Sequence, residues 1–143
     1  MRLADYAQRL LSIAETVHRW LGALSGLDER RRARVAGYAE TIADTLARAG
    51  EALSRLGASP RNRRARQQAI RELGRISGYI ETMVGALEHH LDGRKLAGVK
   101  RRLEQLRPAE LHKCVVSGRK PMHIDRLASA EGYFRALADG LRT

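Results

Sequence analysis

The chain has 143 residues, with 27 Lys and Arg against 16 Asp and Glu, a formal net charge of +11, and only one Phe, one Trp and four Tyr among its 43% hydrophobic residues. At this length a core filled by Leu, Ile, Val and Ala suits one α-helical domain over residues 1–143 better than a sandwich or a barrel. The lone cysteine, Cys114, excludes an intrachain disulfide, no stretch approaches the roughly 20 apolar residues of a membrane span, and Met1-Arg2-Leu3-Ala4-Asp5 lacks an apolar signal core, so a cytoplasmic protein is expected.

In the first predicted helix Leu3, Leu10, Val17 and Leu24 fall seven apart, with Tyr6, Ile13 and Trp20 between them and Ala7, Ala14 and Leu21 widening the stripe. Asp5–Arg9 and Glu15–Arg19 are acid-before-base pairs at the helical i,i+4 spacing. Ser25-Gly26-Leu27-Asp28 reads as a capping box with Ser25 as N-cap. A second helix then runs to about Leu56 with Val35, Tyr38, Ile42, Leu46, Ala49, Leu53 and Leu56 inward, and Gly57 ends it.

Ser59-Pro60 is expected to open a third helix, Ser as N-cap and Pro at the first helical position. Its stripe is Ile70, Leu73, Ser77, Ile80, Val84, Leu87 and Leu91. The short turn predicts that the two middle helices form a long antiparallel hairpin, each about 45 Å long at 1.5 Å per residue. Gly37, Gly50, Gly74, Gly78 and Gly85 fall inside these helices and serve either close helix approach or bends. Asp92 caps a fourth helix with Leu96, Val99, Leu103 and Leu106 inward, until Pro108 breaks or restarts it through Leu111 and Val115. After the loop Ser117-Gly118-Arg119-Lys120-Pro121, a last helix carries Ile124, Leu127, Phe134, Leu137 and Leu141, supported by Glu131–Arg135. The expected fold is all-α: an antiparallel bundle of four to five helices with a long central helical hairpin.

Catalytic and metal chemistry find little to stand on. Glu15-Thr16-Val17-His18 has the Glu-x-x-His spacing of helical di-iron sites, but it occurs once and points outward on the heptad. His89 and His90 diverge by about 100° on a helix and suit its last turn, where histidine answers the dipole. Arg107 and His112 share a spacing with some helical ribonucleases, yet Pro108 follows the arginine and the usual polar neighbour is missing. A buried thiol filling a gap is the ordinary role of a lone cysteine such as Cys114. No phosphate loop, serine elbow or His-Glu-x-x-His element occurs. No enzyme activity, cofactor, metal or small-molecule substrate is therefore expected.

The positive charge is more informative. Twenty-three of the basic residues are Arg and Asn62 is the only Asn, as a GC-rich bacterial genome would encode, but codon bias does not leave a charge uncompensated. Basic residues gather in three groups: Arg30, Arg31, Arg32 and Arg34; Arg61, Arg63, Arg64 and Arg66 with Arg71 and Arg75; and Lys100, Arg101, Arg102, Arg119 and Lys120 with their neighbours. The first two sit at predicted helix starts, where stability alone would place acids, and arginine beside a helix N-terminus makes an anion site. Arg30, Arg31, Arg34, Arg61, Arg63, Arg64, Arg66, Lys100, Arg101, Arg102, Arg119 and Lys120 are the candidate contacts to nucleic-acid backbone, duplex DNA or structured RNA, without strong sequence preference. Exposed aromatics are expected to be scarce, with Tyr79, outward on the third helix, the best candidate, too little for a stacking platform. The alternative is a helical adaptor or oligomerisation module with an apolar stripe left for a protein partner or a second copy.

Overall fold

The computed structural model describes residues 3–20, 26–87, 93–104 and 124–142, and its described residues form helices and no strand. The helices are α1 (Leu3–Arg19), α2 (Glu29–Ala58), α3 (Arg63–Ala86), α4 (Gly93–Glu104) and α5 (Ile124–Arg142). Expectations for Leu21, Leu24, Ser25, His89, His90, Leu91, Asp92, Leu106, Arg107, Pro108, Leu111, His112, Cys114, Val115 and Ser117-Gly118-Arg119-Lys120-Pro121 lie outside the described residues. So do those for the side chains of Leu3, Leu96 and Leu103.

The predicted stripes are the faces the helices bury. Tyr6, Leu10, Ile13, Val17 and Trp20 of the N-terminal segment are buried, as are Val35, Ile42, Leu46, Leu53 and Leu56 of α2. Leu73, Ile80 and Val84 of α3, Val99 of α4, and Leu127, Phe134, Leu137 and Leu141 of α5 join them in one contiguous core. Aromatic side chains being few, alanine carries much of the α2 interface: Ala36, Ala39, Ala43, Ala49 and Ala52 are fully buried. Removing this apolar area from water drives the assembly.

The central hairpin forms as expected. Arg55 meets Gln68 across it at 3.1 Å and Arg48 meets Glu72 at 3.3 Å, so position rises on α3 as it falls on α2. α5 runs antiparallel along another side of α2, where Arg135 pairs with Asp44 at 3.1 Å and Arg142 with Glu40. α5 also packs on α1, while α4 packs on α3 and touches α1. The buried Tyr6 hydroxyl donates to the Leu73 carbonyl at 3.2 Å, joining α1 to α3 and closing the bundle. Glu131 supports Arg135 at 2.9 Å, as its spacing predicts.

The helix ends depart from the sequence reading. α2 is capped by Asp28, whose carboxylate accepts from the Arg31 N–H at 2.8 Å, and the helix runs through Gly57 to Ala58. Ser59 closes α2, its N–H donating to the Arg55 carbonyl at 3.0 Å, and does not open α3. The α3 cap is Asn62, whose side chain accepts from the Ala65 N–H at 3.1 Å. Pro60 therefore lies in the turn, one residue before Arg61, and not inside the helix. Asn62→Ala is expected to destabilise the fold by about 1 kcal/mol, with Ser59→Ala nearer neutral, as urea unfolding of the two variants would measure.

The interior glycines do not serve close approach between these helices. A Cβ added at Gly37, Gly74, Gly78 or Gly85 would meet no atom within 4 Å, and only at Gly50 does it touch a neighbour, Ile124 Cγ2 at 3.7 Å. Gly78→Ala, on an exposed helical face, is expected to stabilise the chain by about 0.5–1 kcal/mol in the same assay.

Candidate nucleic-acid interface

The three basic groups have different surroundings. At the start of α2, Asp28 holds the cap, Glu29 the first helical position, and Asp28 pairs with Arg31 at 3.7 Å. Carboxylates therefore answer the dipole at this helix start, beside the arginines. Arg30 and Arg34 are exposed beyond them, and Arg32 is half-buried with an unbonded Nε.

The third group is divided. Arg102 is half-buried and its Nη1 donates to Thr16 Oγ1 at 2.7 Å, so it ties α4 to α1. Lys100 and Arg101 are exposed, while Arg119 and Lys120 lie outside the described residues.

The hairpin tip differs from both. Between Glu51 and Glu72 the chain has no acidic residue and six arginines, Arg55, Arg61, Arg63, Arg64, Arg66 and Arg71. The first turn of α3 contains no acid, and its cap is the neutral Asn62. Arg66 is half-buried and braces the turn through Nη2 on the Pro60 carbonyl at 3.1 Å. Arg61, Arg63, Arg64 and Arg71 are exposed, and no ion pair holds them among the described residues. Positive charge here lies against the positive end of a helix dipole, which costs a few tenths of a kcal/mol per group.

Behind the tip the arginines continue along the seam of the hairpin. Arg48 and Arg55 are seven residues apart on α2, and Arg64 and Arg71 seven apart on α3 with Arg75 one turn further. Spacings of four and seven return to nearly the same helical face, so these side chains form two rows about 10–16 Å long. Cross-links join the rows: Arg55 to Gln68, and Arg48 Nε to Glu72 Oε2 at 3.3 Å. Arg48 Nη2 also donates to Thr45 Oγ1 at 3.0 Å, and Thr45 in turn donates to the Thr41 carbonyl at 2.7 Å.

Glu72 is the one buried acid among the described residues, with 6% exposure. Its other oxygen, Oε1, faces Arg75 Nη1 at 3.8 Å, and Arg75 Nη2 donates to the Tyr79 hydroxyl at 3.0 Å. The Tyr79 hydroxyl that accepts from it, and then the nearby Glu72 carboxylate, push the Arg75 guanidinium above its ordinary pKa. Tyr79 is half-buried against the core and engaged by Arg75, not the outward ring the helix pattern suggests.

Sequence reasoning missed Arg48, Arg55 and Glu72. The seven-residue spacing of the two arginines was available as a signal. The burial of Glu72 was not, because it depends on Arg48 arriving from another helix 24 residues away.

A second surface feature lies between α1 and α5, a cavity of about 340 Å³ lined by His18, Ser129, Gly132, Tyr133 and Ala136. The His18 and Tyr133 rings meet edge-on at 5.9 Å, which half-buries the histidine that the heptad placed outward. Ser129 donates its hydroxyl to the Asp125 carbonyl at 3.2 Å. Among the described residues, no group of three His, Cys, Asp or Glu could hold a metal ion, and no helix is long and apolar enough to cross a membrane.

No protein-family model, curated protein or solved structure matches this chain.

Proposed function

We propose that this chain is a non-enzymatic nucleic-acid-binding protein, whose hairpin tip and arginine seam grip the phosphate backbone of duplex DNA or structured RNA without strong sequence preference. The observation that carries this reading is the run of six arginines between Glu51 and Glu72, uninterrupted by an acid and spread from the end of α2 through the turn into the first turns of α3. Guanidinium groups present forked donors that match phosphate oxygens, and rows on two adjacent helices offer several such forks in sequence. The one half-buried tyrosine beside the seam is held by Arg75, so recognition rests on charge and not on base stacking. A cytoplasmic subunit of a nucleoprotein assembly fits this surface.

The adaptor alternative has less to support it. The apolar stripes of α1, α2, α3 and α5 pack on one another, and among the described residues Tyr133, at 38%, is the large hydrophobic side chain left exposed.

Titrating labelled duplex DNA and a hairpin RNA by fluorescence anisotropy at several salt concentrations tests the proposal. If Arg55, Arg61, Arg63, Arg64 and Arg71 each neutralise a phosphate of a duplex, log K falls with log salt at a slope of about −4.5, or about 500-fold between 50 and 200 mM. Affinity weaker than millimolar at low salt, or independent of salt, would overturn it.

A further inference from the structure

We propose that Glu72, despite its negative charge, strengthens polyanion binding as a positioning residue, by holding Arg48 and Arg75 ready for phosphate on the hairpin seam. This inference rests on the nucleic-acid reading above and adds to it a residue of the opposite sign.

An arginine on a helix surface samples many rotamers, and ordering it on binding weakens affinity by about two- to tenfold per side chain. Arg48 and Arg75 have each been ordered in advance. Glu72 takes Arg48 Nε on one oxygen and faces Arg75 Nη1 with the other, while Thr45 and Tyr79 hold the far side of the respective guanidiniums. Both arginines nevertheless keep nearly half of their side-chain surface exposed, 42% and 48%. Glu72 itself is too buried, at 7% of its side chain, to confront an approaching phosphate.

The geometry is that of an anchored pair. One carboxylate, buried between two helices, fixes two cations at the surface where the Arg64–Arg71 row reaches Arg75 and the Arg55 row reaches Arg48. A buried carboxylate with one cation removed is costly, so both arginines are kept beside it. The guanidinium edges not used by Glu72, Thr45 and Tyr79 remain as donors for an incoming anion. The seam thus extends from the tip into the middle of the hairpin, and its inner end is its most ordered part.

The sign of the effect separates this from simple electrostatics. Glu72→Gln keeps the side-chain shape and raises the net charge by one, so charge alone predicts tighter binding and a steeper salt dependence. Positioning predicts the reverse: affinity for a 20-base-pair duplex about tenfold weaker, with the salt slope shallower by about one as a phosphate contact is lost. Tyr79→Phe leaves the charge and the ring in place and removes only the hydroxyl on Arg75, and should weaken binding about threefold. Circular dichroism and thermal melting identify a Glu72→Gln chain that does not fold, in which case Tyr79→Phe carries the test.

Folded Glu72→Gln binding as tightly as the parent or tighter, or Tyr79→Phe binding unchanged, would overturn the positioning role while leaving the hairpin-tip reading intact. Loss of the nucleic-acid reading shows differently: Arg63→Glu with Arg64→Glu would then leave affinity unaltered, and this proposal would fall with it.

Discussion

Replacing Arg63, Arg64 and Arg71 together by Glu should abolish most nucleic-acid affinity, by about 100-fold or more at moderate salt, while leaving the protein at least as stable as before. These three side chains are exposed and hold no ion pair among the described residues, so reversing them breaks no contact within the bundle. Two of them occupy the first positions of α3 after the Asn62 cap, where a carboxylate favours the dipole by about 0.3–1 kcal/mol each. The third lies one turn before Arg75, where an i,i+4 pair of like charges is unfavourable by a few tenths of a kcal/mol. Binding and stability are thus expected to move in opposite directions, which anisotropy titration and urea unfolding of the same variant would measure.

Phe134→Ala carries the largest expected effect on stability, a loss of about 3–5 kcal/mol. Phe134 is the only phenylalanine, is fully buried on α5, and belongs to the core cluster that α1, α2 and α5 share. Few aromatic side chains are available to fill the void, and the alanines of α2 that surround this core cannot extend into it. A fall in melting temperature on the order of 10 °C or more follows for a chain of this size. Calorimetry would measure it, and a shift of only a degree or two would mean that α5 is not integral to the core. Because α5 packs along α2, such a loss would also loosen the face opposite the hairpin seam.

The two results draw on parts of the sequence that were not equally legible. The apolar stripes were plain: Leu10, Ile13 and Val17, or Leu46, Leu53 and Leu56, repeat at a spacing only a helix can bury on one side, and each is buried. Caps were less so. Ser59-Pro60 and Asn62 are both good helix starts three residues apart, and only the fold shows that Ser59 is used to finish α2 while Asn62 begins α3. The charge clusters were visible as runs but not as surfaces. Asp28 and Glu29 stand beside the first run in the sequence itself, but the sequence puts Asp28 at the third position of a capping box, where the fold makes it the cap. The seam needed two helices brought together: neither Arg48 nor Glu72 has meaning until α2 and α3 fold back on each other.

The two ends of the hairpin differ in what stands beside their arginines: Asp28 and Glu29 at the start of α2, and no acid in the first turn of α3. The most direct test changes equal charge at each end, Arg63→Glu with Arg64→Glu at the tip and Arg30→Glu with Arg34→Glu on α2, and measures duplex affinity at one salt concentration. The tip pair is predicted to lose at least about tenfold more affinity than the α2 pair, because on the proposed reading Arg63 and Arg64 grip phosphate while Arg30 and Arg34 add net charge alone. Equal losses from the two pairs would contradict the account and assign the binding to net charge alone.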